Sequence, residues 1–196
     1  MRRSAWVWGL GVIVVALCGV ATLRAQEQQA SSEKPAAAAA MEMPKPGAEM
    51  ERMKFLVGKW DVNGEYLKTP LTGDGGKQTG WYEGRVGPGG FSVIADFEAD
   101  SAMGQEIGHE LFSWDPASGA YTTATAGNSF PGVLMGKARW EGEDLVTDLD
   151  FKMGDTVIHN HAVYSHITEK RIDIEESYQM GEGPMTLMWK ATATKK

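Results

Sequence analysis

From residue 58 onward the chain is cut into short alternating segments by turn signals, and this punctuation restricts the fold more than any other feature. The signals are Gly73-Asp74-Gly75-Gly76, Gly87-Pro88-Gly89-Gly90, Asp115-Pro116-Ala117-Ser118-Gly119, Glu141-Gly142-Glu143-Asp144, Gly154-Asp155 and Gly181-Glu182-Gly183-Pro184. About ten strand-like segments lie between and beside them, the pattern of an all-β meander. An open sheet of that many strands leaves long unpaired edges that invite aggregation, so the meander is expected to close on itself. The expected fold class is all-β, an antiparallel up-and-down barrel of about ten strands rather than a two-sheet sandwich.

Hairpin pairing tests this expectation, because residues opposite one another in an antiparallel pair share a face. A two-residue turn at Gly154-Asp155 pairs Leu149 with Asn160 and Phe151 with Ile158, and sets Asp148 and Asp150 against His161 and His159. The first set is mostly apolar and is expected to face inward. A three-residue turn at 169–171 carries that face to Ile172, Ile174, Glu176, Tyr178 and Met180, with Glu176 opposite Tyr164. A four-residue loop at 181–184 continues it to Met185, Leu187, Trp189 and Ala191; backward, the loop at 141–144 gives Leu134, Gly136, Ala138 and Trp140. At Gly87-Pro88-Gly89-Gly90, Val86 is set against Phe91, Gly84 against Val93 and Tyr82 against Ala95, with Phe97 beyond. The segment 107–114 has two possible faces, Ile107, His109 and Leu111 or Glu110, Phe112 and Trp114, and the pattern does not choose between them.

The first 25 residues have two arginines, an uncharged run from Ser4 to Leu23, and Leu23-Arg24-Ala25 before Gln26. This is the layout of a secretory signal, with cleavage expected near Ala25 and an uncleaved anchor as the alternative. The expected location is periplasmic or secreted. Cys18 is the only cysteine and lies inside that segment, so the mature chain is expected to lack disulfides and cysteine-based metal sites. Loss of Arg2, Arg3 and Arg24 moves the formal charge from -7 to -10. So acidic a chain argues against nucleic acid or an anionic membrane as partner. Residues 26–47, rich in Gln, Ser, Pro and Ala, cannot bury enough apolar surface to offset their ordering entropy and are expected to form a disordered low-complexity linker. The barrel domain is expected to span 48–196.

Residues 48–57 have helical spacing, with Met50, Met53 and either Phe55 or Leu56 on the buried side, and are expected to cap one barrel end. Gly58 stops this helix; Trp60, Val62 and Tyr66 then share one face of the first strand, with Gly64 between them. Gly58-Lys59-Trp60 resembles the Gly-x-Trp opening of the calycin barrels, which include lipocalins, fatty-acid-binding proteins and nitrobindins. More closely, Pro46-Gly47-Ala48-Glu49-Met50 leading into Phe55-Leu56-Val57-Gly58-Lys59-Trp60, with Trp114-Asp115-Pro116 and Tyr121 downstream, resembles the bacterial domain-of-unknown-function family numbered 1579. That resemblance implies a barrel and brings no established activity. The lipocalin resemblance implies a basic residue from the last strand over the Trp, here Lys190 or Lys195. A haem site of the nitrobindin kind needs an inward histidine near the end of the chain, and no histidine follows His166. No cofactor is expected.

Apolar walls with a few polar groups are what a small-molecule pocket needs, the walls for burial and the polar atoms for orientation. The candidate ligand-binding residues are Trp60, Tyr82, Phe97, Trp140, Phe151, Asn160, Tyr164, Glu176 and Trp189, with Tyr66, His166 and Tyr178 as further inward polar groups. The expected function is burial of a small, mostly apolar molecule whose polar end is oriented by Glu176, Tyr164 and Asn160. A hydrolase- or isomerase-like enzyme with Glu176 or His166 as general base is the alternative, and a filled structural or interaction barrel is a third reading. Strand tilt and stagger decide among them, and no residue pattern sets these. His159, His161, Asp148 and Asp150 have the chemistry of a metal site, but the pairing puts them on the solvated face, where cross-strand His-Asp pairs are ordinary surface electrostatics.

Overall fold

A computed structural model describes residues 45–196; the expected signal at 1–25, and the expected linker up to residue 44, lie outside the described residues. A helix α1 (Ala48–Arg52) runs into a 3₁₀ turn (Met53–Leu56) and then into ten strands: β1 (Gly58–Tyr66), β2 (Gly76–Val86), β3 (Ser92–Ser101), β4 (Gly104–Asp115), β5 (Ala120–Gly127), β6 (Leu134–Glu141), β7 (Asp144–Met153), β8 (Thr156–Ser165), β9 (Arg171–Met180) and β10 (Thr186–Lys195). Each strand pairs antiparallel with its sequence neighbours, and β10 closes onto β1 from Trp60 opposite Lys195 to Tyr66 opposite Trp189. The result is a closed ten-stranded antiparallel barrel, with no free edge in the ring.

The ladders resolve the β4 ambiguity. Ser101 opposes Gly104 across a two-residue turn, so Ala99 opposes Glu106 and Ala95 opposes Glu110. Glu106, Glu110, Phe112 and Trp114 therefore share the inward face, while Ile107, His109 and Leu111 face out. The β7–β8 and β6–β7 pairings are those expected, Leu149 with Asn160 and Trp140 with Leu145. Three expected registers differ. Val86 opposes Val93 and Tyr82 opposes Phe97, because Phe91 ends the turn and sits exposed outside the ladder. Glu176 opposes Ala162 and Tyr164 opposes Ile174, because the β8–β9 connection takes five residues, 166–170, instead of three. Both slips are by two residues and leave the faces unchanged. The third is a bulge in β10 between Leu187 and Trp189, which puts Thr186 opposite Tyr178. Met188 is buried as a result, and Met185 and Met180 are exposed rather than inward.

The helical segment covers one end of the barrel. Met50, Met53 and Leu56 are buried against Trp60, Val93, Phe112, Tyr121 and Leu145, with Phe55 half-buried at its edge. The Tyr121 hydroxyl donates to the Glu49 carbonyl at 2.7 Å, tying the helix to β5. Phe55 meets Trp140 edge-on at 5.7 Å, and the Arg52 guanidinium lies 4.1 Å from the centre of the same indole. Lys195 lies 5.1 Å above Trp60, so the basic partner expected for that ring is Lys195; Lys190 faces outward and pairs with Glu175.

The opposite end is crossed by the β1–β2 connection. Thr69 and Thr72 bond one another at 2.8 Å, and the Thr72 hydroxyl donates to the Leu67 carbonyl. Leu71 packs beside the small cluster of Ile158, Tyr178 and Met188. The Met188 carbonyl, at the bulge, accepts the Leu67 N–H at 2.8 Å. The irregularity in β10 thus anchors the connection that covers this end.

Gly84 is the inward residue of β2 where the chain leaves the helix, and a Cβ built there would collide with the Leu56 carbonyl. We expect Gly84→Ala to lift the helical segment off the barrel and cost about 1–3 kcal/mol, the usual cost of overpacking a filled site, measured by denaturant unfolding. An unchanged unfolding midpoint would show that the cap does not depend on this approach.

Candidate functional site

The barrel axis carries an unusual chemistry for a core. Three glutamates point into it: Glu106 and Glu110 from β4, and Glu176 from β9 on the facing wall. Around them stand Tyr66 from β1, Gln78 and Tyr82 from β2, Asn160 and Tyr164 from β8, and Trp189 from β10. Each is held there by the two-residue period of its strand. Small residues at inward positions, among them Gly80, Ala95, Ala99, Ala162 and Ala191, keep the walls thin between these side chains.

The lumen is not filled. Glu110, Thr125, Leu149, Tyr164, Ile174 and Glu176 all point toward the axis of a closed barrel yet are only half-buried. An inward side chain in the middle of such a barrel keeps accessible surface only where space adjoins it. A ring of ten strands is also wider than the eight whose side chains just fill the interior. At two points the wall is thickened from inside: the Trp189 Nε1 lies 2.7 Å from where a Gly64 Cβ would stand, and the Phe97 ring lies across Gly108.

The polar groups form two hydrogen-bonded groups, with Glu110 between them. The Gln78 side-chain amide donates to the Tyr66 hydroxyl at 3.3 Å, which in turn donates to Glu106 Oε1 at 3.3 Å. The Asn160 amide donates to Glu176 Oε1. Glu110 makes no hydrogen bond among the described residues. Gln78 is 5 % exposed, and its carbonyl oxygen has no partner.

Burial dominates the electrostatics. It pushes the Glu110 carboxyl from 4.5 up to about 7, with the charge of Glu176 adding to the effect. Burial likewise raises Glu176, against the Asn160 amide and with the Glu106 charge, and raises Glu106, against its bond from Tyr66. The Tyr66, Tyr82 and Tyr164 phenols are pushed far up, first by burial and then by these carboxylates. The groups sense one another because they share one enclosed space.

The expected site residues fall into two groups. Asn160, Tyr164, Glu176, Phe151 and Trp189 line the lumen or the end crossed by the β1–β2 connection. Trp60 and Trp140 belong with the packing beneath the helical cap, where Trp60 is 1 % exposed, and Tyr82 and Tyr164 touch that packing from the lumen side. Phe97 covers Gly108 in the wall between them. His166, expected as an inward base, is a correction: β8 ends at Ser165, and His166 sits in the loop at φ 48°, exposed, with its Nδ1 3.2 Å from Asp173. Alternation stops where the strand stops. Hydropathy alone does not place Glu106 and Glu110, because β4 is amphipathic in both directions; the two-residue turn at Ala102-Met103 is the signal that does.

On the outside, His161 Nδ1 lies 2.7 Å from Asp148, and His159 Nδ1 lies 2.6 Å from Asp150. These pairs sit on the solvated face, and Asp148 is also held by Arg139. Among the described residues no group of three or more His, Cys, Asp or Glu is arranged to hold a metal ion. A recess of about 610 Å³ on the outer face of β1, β2, β9 and β10 is lined by Asn63, Glu65, Lys77, Thr79, Lys190 and Thr192. It is strand surface with paired charges and does not contain the buried acids.

No protein-family model matches the chain, and none of the curated proteins matches it by sequence. Among solved structures, the crystal structure of Rv2717c from M. tuberculosis is similar with a TM-score of 0.53 at 13% identity, covering 78% of this chain and 99% of that one. An S-type phycobiliprotein lyase from Guillardia theta is similar at 0.46 and 10% identity, over 76% of this chain and 91% of that one. The protein EF1p2_mFAP2b bound to DFHBI reaches 0.40 at 12% identity, over 75% and 98%. The first of these shares the barrel fold with this chain, and the likeness extends to the fold alone.

A carboxyl that stays protonated in the folded chain but ionises in the unfolded one favours the fold at low pH. The raised value of Glu110 therefore contributes stability below pH 4.5 that is lost as pH rises through about 7. Glu106 and Glu176 act in the same direction. On the surface, Asp96 is lowered by its bond to His109, and its contribution is lost at the acid end of the range. We expect Glu110→Gln to reduce the decline between pH 4.5 and 7 and to raise stability at pH 8 by up to about 3 kcal/mol, measured as unfolding free energy against pH. A parallel pair of curves would place Glu110 in contact with bulk water.

Proposed function

We infer that the protein is an exported small-molecule-binding barrel of the up-and-down calycin type, taking its ligand into the lumen. The observation that carries this reading is Glu110, an axial glutamate with no hydrogen bond among the described residues that keeps accessible surface inside a closed ring of strands. A structural core gains nothing from such a group, since an unpaired buried carboxyl costs stability unless something meets it. The lumen is more polar than a simple apolar pocket: rings and aliphatic walls surround a column of carboxyls, a phenol and two amides. Its ligand combines an apolar body with hydrogen-bonding or charged groups. Export follows from the charge and hydropathy layout of residues 1–25. Membership of the 1579 family rests on the motifs around Gly58-Lys59-Trp60.

A second reading has the same lumen perform proton transfer, and the group that favours it is Glu110, whose carboxyl lies near 7 where an acid or base works best. Both readings are separated by native mass spectrometry of the protein purified without refolding. A stoichiometric small-molecule mass released on denaturation is the result expected of a binding barrel. Conversion of that molecule on incubation, lost in Glu110→Gln, would move the assignment to an enzyme. A bare protein mass, together with no change in tryptophan emission on adding any of a panel of small aromatic compounds, would overturn both.

A further inference from the structure

We propose that the lumen selects an organic cation, a protonated amine on an aromatic or aliphatic body, with the nitrogen held between the walls that carry Glu110 and Glu176. This deepens the binding reading and rests on it. The argument begins from charge. Three inward carboxyls face one another with no arginine, histidine or lysine among the described groups around them; Arg52 and Lys195 lie over Trp140 and Trp60 at the end under the helical cap. A fatty acid or other anion entering this space would add a like charge to a set that already repels itself.

A second observation points to the same ligand independently of the carboxyls. Gln78 is an inward residue of β2, opposite Gly64 on one side and Ser101 on the other. Its amide nitrogen is committed to Tyr66, and its carbonyl oxygen is buried without a donor. Tyr66 spends its only proton on Glu106. The chain Gln78 to Tyr66 to Glu106 therefore consumes its donors internally and leaves acceptors. The unpartnered Trp189 indole lies on the backbone at Gly64, and the buried Tyr82 hydroxyl, also unpartnered, is a neutral donor that supplies no positive charge to Glu110. Carboxyls with no cation beside them, and a buried carbonyl with no donor, are complemented by a group that is charged and has only donors, and an ammonium carries three and no acceptor. The phenol and indole rings beside the acids favour a cation further through their π-faces.

The groups facing Glu110 are Ala95 on β3 and Thr125 on β5 at its sides, and Tyr82 on β2, Tyr164 on β8 and Glu176 on β9 across the axis. None of them supplies a compensating charge. A bound ammonium does, so cation binding and ionisation of Glu110 reinforce one another, and affinity rises with pH through the range in which the acid titrates while the amine stays protonated.

Three naphthyl probes of nearly equal shape test this on the purified protein: naphthylmethylamine, naphthylmethanol and naphthoic acid, each followed by calorimetry and tryptophan emission. The expected result is that the amine binds at least tenfold more tightly than the alcohol, that the acid binds least, and that amine affinity rises severalfold from pH 5.5 to 8. Glu176→Gln and Glu110→Gln are expected to bring amine affinity down to that of the alcohol, with circular dichroism and the unfolding midpoint of each variant showing that it is folded. Equal binding of the three probes, or a stronger acid, would sink the cation assignment and leave the lumen reading standing. No binding of any probe would sink both.

Discussion

Closure of β10 onto β1 is the constraint on which everything else rests. A ring of antiparallel strands has one inside, and every turn must deliver the chain to the next strand with the same face inward; a slip of one residue at any of them would turn a whole strand inside out. The nine connections differ in length, from two residues at Ala102-Met103 to nine between β1 and β2, yet all keep that parity. Trp189 opposite Tyr66 and Ala191 opposite Gly64 are where the last strand meets the first with inward residues aligned. The bulge at Met188 is the one place where parity is spent. Its freed carbonyl is taken up by Leu67, so the adjustment that lets β10 reach β1 also seats the connection that covers the lumen.

The two ends are treated differently, and the difference locates the chemistry. Beneath α1 the barrel is packed solid: Met53, Trp60, Phe112 and Leu145 are fully buried, and two cations lie over the outermost rings. Such packing supplies the stability of a small domain through area removed from water. Toward the middle the walls thin to glycine and alanine, and the side chains that do project are carboxyls, phenols and amides. The packed end supports a lumen whose own groups oppose folding at neutral pH. A chain without disulfides among its described residues has to make that balance with its core.

The sequence made the faces legible and the registers less so, for a physical reason. Turn signals define parity, because glycine and proline mark where the chain reverses; the number of residues in a reversal is a matter of loop conformation. The turn signals imply three residues for the β8–β9 connection, which takes five, and pair Phe91, which stands outside the ladder. Both errors are even, so Ile172, Ile174, Glu176 and Tyr178 were correctly turned inward. His166 was misplaced because alternation was carried one residue past the end of β8. Glu106 and Glu110 were invisible to a hydrophobicity argument: an inward face bearing two acids looks like an outward one, and Ile107 and Leu111 on the true outer face completed the disguise.

That disguise is itself informative. A strand whose polar face is turned to the axis is a local contradiction of the pattern followed by its neighbours, and such contradictions persist where function needs them. β4 alone contributes two acids to the lumen, and the wall across from it answers with Glu176 rather than with a base. If the acids served the fold, the cheapest arrangement would pair them with the lysines and arginines that instead lie on the outside against Glu175, Asp96 and Asp148. Among the described residues, Glu175, Asp96 and Asp148 on the surface are paired with cations, and Glu106, Glu110 and Glu176 inside are not. The missing positive charge among the described lumen residues is the position that the proposed organic cation would fill.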